Sequence, residues 1–350
     1  MRVLIAPDEF GGTLSAKAAA EAIAQGWARS RPGDDIGYAL QSDGGPGFIE
    51  ILATSGGELQ TADVAGPLGQ RLEARWLLRD GVAYIESAQA CGLAVLGRPP
   101  APRTALGASS AGVGDLIAAA LEHRPRRIVV GLGGSACTDG GAGLISVLGG
   151  FPAAVQRLAG VALVAATDVE NPLLGADGAA AVYGPQKGAD PRTVAELETR
   201  LTRWAGELSS WARRPIAGLP GSGAAGGIGA ALLALGAERV SGGDIVASIT
   251  QQRALIRHAD LVISGEGKFD AQSLRGKVVV TVAAEAMNAG VDVVVLAGQV
   301  RIRDDEYRPR GVVAAYSVAD YCGSVEAAIA QPEKHLADLA AAVASSWANG

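Results

Sequence analysis

Short apolar runs recur along this chain, and most of them empty into a turn rich in glycine and aspartate. RVLIA (2–6) reads as a buried parallel strand. The helical spacing from Ser15 to Ser30, with Ser15 as N-cap and Pro32-Gly33 as terminator, predicts an amphipathic helix. Ile36–Leu40 predicts a second strand that leads into Ser42-Asp43-Gly44-Gly45, and 47–55 a second helix. A β-α-β-α opening of this kind predicts an α/β fold with a parallel, doubly wound sheet.

From about Thr61 the pattern changes. Arg71–Leu78 and Val82–Ser87, split by Arg79-Asp80-Gly81, predict a hairpin. The α/β alternation returns with a helix at 109–122 and strands at Ile128–Val130 and Leu163–Thr167. Asp190–Trp211 has helical spacing, with Pro191 suited to the first helical position. Val293–Ala297 and Val312–Ala315 supply late strands, and Glu326–Trp347 reads as one long closing helix. The expected organisation is a discontinuous Rossmann-like domain (1–60, 105–150 and 255–350) carrying an inserted α/β domain (61–104 and 151–254).

Composition narrows the function. Among 350 residues, 49 are glycine but only 4% are aromatic, so the cores must be built from Ala, Val, Leu and Ile. The glycines fall between apolar runs without a period, which suits loops that approach a ligand closely. The net charge of −6, with no basic run interleaved with aromatics, argues against nucleic-acid binding. Cys91, Cys137 and Cys322 lie far apart, outside any metal-ligand spacing, and read as reduced thiols. No apolar run reaches the length of a membrane span, and a cytoplasmic protein is expected.

Chemistry concentrates at the predicted strand ends. Asp8, Asp43, Asp139, Asp168 and Asp270 each lie just beyond a strand, in or beside a glycine or proline turn. One such Asp is usually a turn or cap residue. Five at corresponding strand ends are harder to explain that way, because clustered carboxylates repel unless a cation or proton sits among them, and magnesium bound to phosphates is the natural cation. ISGEGKFDAQSLRGK (263–277) adds Glu266, Lys268 and Lys277 to the same kind of loop. GLGGSA (131–136) fits a dinucleotide pattern, but Asp139-Gly140-Gly141 stands where the helix should begin, so NAD is not expected. GSGAAG (221–226) precedes a helical stretch, where free backbone N–H groups bind anions; a tight, closely packed turn into the helix explains it equally well. Lys187 sits in the rigid turn GPQKG.

Seven segments occur in order: APDEFGGTLSA (6–16), SDGGPG (42–47), GLGGSACTDGGAG (131–143), ATDVENPLLG (166–175), YGPQKGA (183–189), PGSGAAGGIGAAL (220–232) and GEGKFDAQSLRGK (265–277). Together they resemble the bacterial glycerate kinase family of glyoxylate and sugar-acid catabolism. The resemblance implies two α/β domains with the active site in the cleft between them. It also implies ATP- and magnesium-dependent phosphorylation of a small hydroxy acid, with D-glycerate converted to 2-phosphoglycerate as the first candidate.

For individual residues it implies Asp168 or Asp270 as the base, and Asp43, Asp139 and Glu266 on magnesium. Asp8, Asn171, Lys187 and Lys277 would face the substrate. Gly133, Gly134 and Ser135, with Gly221, Ser222, Gly223 and Gly226, would face the nucleotide. Some positions depart from the family pattern. Glu9 stands for its Ser, Gly11 for its Lys, Pro46 for its Glu, and Cys137-Thr138 for Thr-Asn. Those departures motivate an alternative, a non-catalytic relative that binds a small acid or nucleotide.

Overall fold

The structure, a computed structural model, describes residues 1–275 and 278–347. Its strands are β1 (Arg2–Pro7), β2 (Asp35–Tyr38), β3 (Glu58–Ala65), β4 (Arg71–Arg79), β5 (Val82–Glu86), β6 (Arg127–Gly131), β7 (Ala162–Ala166), β8 (Glu238–Val240), β9 (Leu261–Gly265), β10 (Lys268–Phe269), β11 (Asp292–Ala297), β12 (Gln299–Val300) and β13 (Val312–Ser317). The chain folds as two units, Met1–Ser42 with Val246–Gly350, and Asp43–Ile245.

The first unit is built on a parallel sheet of order β13-β11-β9-β1-β2. Its central strands β1, β9 and β11 are apolar on both faces, as a sheet covered on both sides requires. In β1 the side chains alternate: Val3 and Ile5 join one core with Trp27 and Leu336, and Leu4 and Ala6 join another with Val279 and Phe269. On the first of these faces the helices Ala16–Ser30 and Pro332–Ser346 pack so closely that a Cβ on Gly26 would strike the backbone of Ala337. Ser15 caps the first helix as expected, accepting from the Ala18 N–H at 3.2 Å. The strand order reverses between β1 and β9, a topological switch point of the kind beside which doubly wound sheets bind ligands.

The second unit contains a six-stranded sheet, β3-β4-β5-β6-β7-β8. β3, β4 and β5 are antiparallel, and β5 through β8 are parallel. The expected hairpin forms, with Asp80 (φ 49°) and Gly81 (φ 72°) in the left-handed region that a two-residue turn demands. Trp76, Ile85, Leu116, Ile128 and Val130 lie in its core.

Three expectations are corrected. Residues 43–60 and 105–150 belong to the second unit, because β6 pairs with β5 and β7; 246–254 belong to the first. An α/β rhythm reads alike in either sheet, and only strand pairing assigns it. The closing segment is two helices, Val325–Ala330 and Pro332–Ser346. Pro332 disfavours the helical region for the residue before it, and Gln331 sits at φ −141°, ψ 64°. Strands β3 and β8, which carry polar and exposed positions, had no apolar run to announce them. Among the described residues no helix is long and apolar enough to cross a membrane.

Candidate active site

Parallel pairing brings the carboxyl ends of β5, β6, β7 and β8 to one edge of the second sheet. Glu86 ends β5, Gly131 ends β6, Thr167-Asp168 follows β7 and Ser241-Gly242-Gly243 follows β8. The Asp43–Gly47 turn lies across this edge. A Cβ on Gly44 would meet the carbonyl of Ala166, one on Gly131 the carbonyl of Gly44, and one on Gly133 the backbone of Gly45. Glycine is needed at these positions because backbone packs on backbone.

Two carboxylates flank the turn after β8. Asp168 Oδ2 accepts the Gly243 N–H at 3.2 Å, and the Asp43 carbonyl lies against Gly242. Asp43 Oδ1 also accepts the Gly45 N–H at 2.9 Å. Solvent reaches Asp43, yet desolvation by the surrounding protein raises its pKa, and the Asp168 charge pushes the same way.

Asn171 lies three residues beyond Asp168. Its Nδ2 donates to the Asp177 carbonyl at 2.8 Å, and its Oδ1 accepts from the Tyr183 hydroxyl at 2.7 Å. The Tyr183 pKa is raised by burial and by the Asp43 charge. Tyr183 opens the segment YGPQKGA, but nothing in that segment marks it as a site residue; the partner of its hydroxyl is seen only in the fold. Glu86 also escapes the motif pattern, despite a readable signal: it is an acid closing the apolar run VAYI.

Other candidates are committed to the protein itself. Asp139 Oδ2 accepts from Ser110 N and Oγ (both 2.8 Å) and Gly143 N (3.1 Å), and its Oδ1 from Gly141 N (3.1 Å). Four donors meet the lone-pair positions of its carboxylate, so Asp139 holds the start of two helices, which counts against the magnesium role expected of it. Lys187 is 3% exposed and donates to Ser135 Oγ (2.9 Å) and the Cys137 carbonyl (2.6 Å). Burial lowers its pKa. Through these two bonds it ties down the 133–141 loop. Gly134 packs on Pro46.

The helix start at 221–226 is a packing junction as well. The N–H groups of Ser222, Gly223 and Ala224 go to the carbonyls of Leu219, Asn171 and Gly221, and Gly226 packs on the Cys137 carbonyl. Donors spent in this way are not available to a nucleotide phosphate.

In the first unit, Asp8 and Glu266 stand at the switch point, where the Asp8 N–H donates to the Gly265 carbonyl at 2.7 Å. Glu266 is buried. Asp270 is a turn residue: Oδ1 accepts the Gln272 N–H at 2.8 Å, and Oδ2 pairs with Lys268 Nζ at 3.0 Å. Lys277 lies outside the described residues.

Among the described residues, no three His, Cys, Asp or Glu side chains gather closely enough to hold a metal by themselves. Magnesium asks for less, because one or two carboxylates suffice when water and phosphates complete its shell. Asp43 and Asp168 fit that requirement: desolvation first and then the Asp168 charge disfavour the ionised form of Asp43, and a cation beside the pair would offset both.

Comparison with known proteins agrees with the arrangement of motifs. The profile of the glycerate kinase family matches residues 3–153 and 150–348. An uncharacterized protein of Mycobacterium bovis is 54% identical over 100% of this chain and 92% of its own. The glycerate 2-kinase of Escherichia coli K12 is 37% identical over 94% of this chain and 93% of its own. A crystal structure described as glycerate kinase 2 from Salmonella typhimurium LT2 superposes with a TM-score of 0.76 at 35% identity, covering 99% of this chain and 98% of that one. This chain belongs to the glycerate kinase family, and so is a kinase that transfers phosphate to a hydroxyl group.

Proposed function

We propose that the protein phosphorylates D-glycerate at its 2-hydroxyl, with ATP as donor and magnesium as the counter-ion. The observation that carries this reading is the carboxylate pair Asp43–Asp168 at the edge of four parallel strands. In the reaction the 2-oxygen bonds to the γ-phosphorus of ATP, the bond from that phosphorus to the β–γ bridging oxygen breaks, and ADP leaves. Such transfer asks the protein mainly for positioning and for neutral charge around the phosphates.

Asp43, whose pKa is raised as the surrounding protein desolvates it, accepts the hydroxyl proton. Asp168 would hold magnesium, which neutralises phosphate charge when bound. Asn171 offers an N–H to the substrate carboxylate. Asp8 and Glu266, at the switch point of the first unit, stand where the strand-order rule puts a ligand. The name of the Escherichia coli relative supports the 2-phosphate product over the 3-phosphate.

The test is an ADP-release assay with magnesium-ATP and D-glycerate, with product identity read by phosphorus NMR. Asp43→Asn should lower kcat at least about 100-fold, in the range typical of a lost general base. Turnover of Asp43→Asn near that of the wild type would remove Asp43 as the base, and a 3-phosphate product would overturn the assigned hydroxyl.

A further inference from the structure

The Asn171 side chain is held at both ends. Its Oδ1 takes the Tyr183 hydroxyl at 2.7 Å and its Nδ2 reaches the Asp177 carbonyl at 2.8 Å. A carbonyl only accepts, so Asp177 decides which end of the amide is nitrogen. A flipped amide would set two acceptors 2.8 Å apart. One bond leaves the amide plane free to swing, because the terminal torsion of asparagine has a broad minimum. The bond from Tyr183 removes that freedom. The Asn171 carbonyl also accepts the Gly223 N–H at 2.9 Å, so the residue's backbone is fixed along with its amide. After these bonds an Nδ2 N–H and one Oδ1 lone pair remain to meet a ligand.

We propose that Tyr183 is a positioning residue, whose hydroxyl acts through Asn171 to aim the remaining N–H at the carboxylate of the acid substrate. The inference rests on the glycerate kinase reading of this site and adds to it a residue that sets affinity for the acid. The phenol is kept in its donating form by its surroundings, where burial and the Asp43 charge both oppose ionisation. Tyrosine suits this role. It reaches from the short helix Ala179–Tyr183 with few torsions to order, and a phenylalanine there would keep the packing and lose only the bond.

The test is a double-mutant cycle on the full-length enzyme, with Tyr183→Phe, Asn171→Ala and the double variant assayed for KM of glycerate, KM of ATP and kcat. Tyr183→Phe should raise KM for glycerate several-fold, up to about tenfold for one lost hydrogen bond. Its kcat should stay within about twofold, its KM for ATP should not change, and the pH profile of kcat should not move. The double variant should be no worse than Asn171→Ala alone, which is the mark of action through that residue. If Asn171→Ala does not fold, Asn171→Ser replaces it, since it removes the amide N–H without fixing a second acceptor against the Asp177 carbonyl. Independent, multiplying effects in the double variant would mean that Tyr183 touches the substrate itself, and would overturn the proposal. So would an unchanged KM in Tyr183→Phe, or a loss confined to kcat. A wild-type enzyme inactive on every hydroxy acid would overturn the underlying reading, and this inference with it. Wild-type activity with independent variants would overturn this inference alone.

Discussion

Glu86 should make the protein less stable as pH rises, and Glu86→Gln should remove that loss. The residue is 2% exposed, and its Oε2 lies a long 3.5 Å from the Ile49 N–H. Burial first, and then the charge of Glu50, raise its pKa from 4.5 to about 8. Glu50 pairs with Arg75 through Oε1, while its Oε2 is buried without a hydrogen-bond partner. The folded protein thus keeps a proton that the unfolded chain gives up above pH 4.5. Stability is full below that pH and falls by RT ln 10 per unit until the folded pKa is reached. At pH 7 the loss is about 3 kcal/mol, a sizeable share of a typical domain's stability.

Glutamine has no proton to lose and still accepts from Ile49. Urea unfolding of wild type and Glu86→Gln, followed by circular dichroism at half-unit steps from about pH 4.5 to 8.5, reads the difference. The two curves should coincide near pH 4.5 and separate in favour of the variant, by about 3 kcal/mol at pH 7. Parallel curves across that range, or a variant less stable at about pH 7.5, would refute the reasoning.

Two further outcomes follow from the same structure. Asp139→Ala leaves the N–H groups of Ser110, Gly141 and Gly143 without their acceptor and should cost about 3 kcal/mol in chemical denaturation; unchanged stability with a shifted magnesium requirement would restore it as a metal ligand. Asp34 has its pKa depressed: burial opposes this, but hydrogen bonds from Arg31, the Met1 amino group and Trp27 outweigh it. Its contribution is present above the ordinary value of 3.8 and is lost as pH falls towards the depressed one. Asp34→Asn should therefore be less stable than wild type at pH 7, with the gap closing below about pH 4 in thermal unfolding.

Much of the fold was legible in the sequence, because buried parallel strands carry a signal in their own residues. RVLIA and LVISG each carry a run of apolar residues, and both became central strands of the first sheet. β8 (ERV) lacks that signal; it joins the second sheet by pairing with β7, and pairing partners are not encoded locally. The motifs located the candidate site but could not say which of their polar groups were already engaged. Asp139 and Asp168 look alike in sequence, each an acid after a strand. Asp139 meets four donors from its own loop and from Ser110, whereas the hydrogen bond seen at Asp168 comes from Gly243. The glycines of 221–226 suit an anion cradle and a packing junction equally well in sequence; that Leu219, Asn171 and Gly221 supply acceptors for the N–H groups of 222–224 is seen only in the fold.

The second unit begins at Asp43 and ends at Ile245, and Gly242 packs against the backbone of Asp43. A domain whose two ends meet can be received by a host chain at a single point, because the host need only part by the width of a peptide. The first sheet takes every one of its strands from the residues on either side of that point, so its strand order closes without the guest. The guest in turn brings both acids of the proposed catalytic pair: Asp43 is its first residue, and Asp168 bonds to Gly243 near its last. The chain has the form expected of an insertion at one point of a host chain. Loops lengthened or shortened elsewhere on the second unit would leave the meeting of its two ends unaltered.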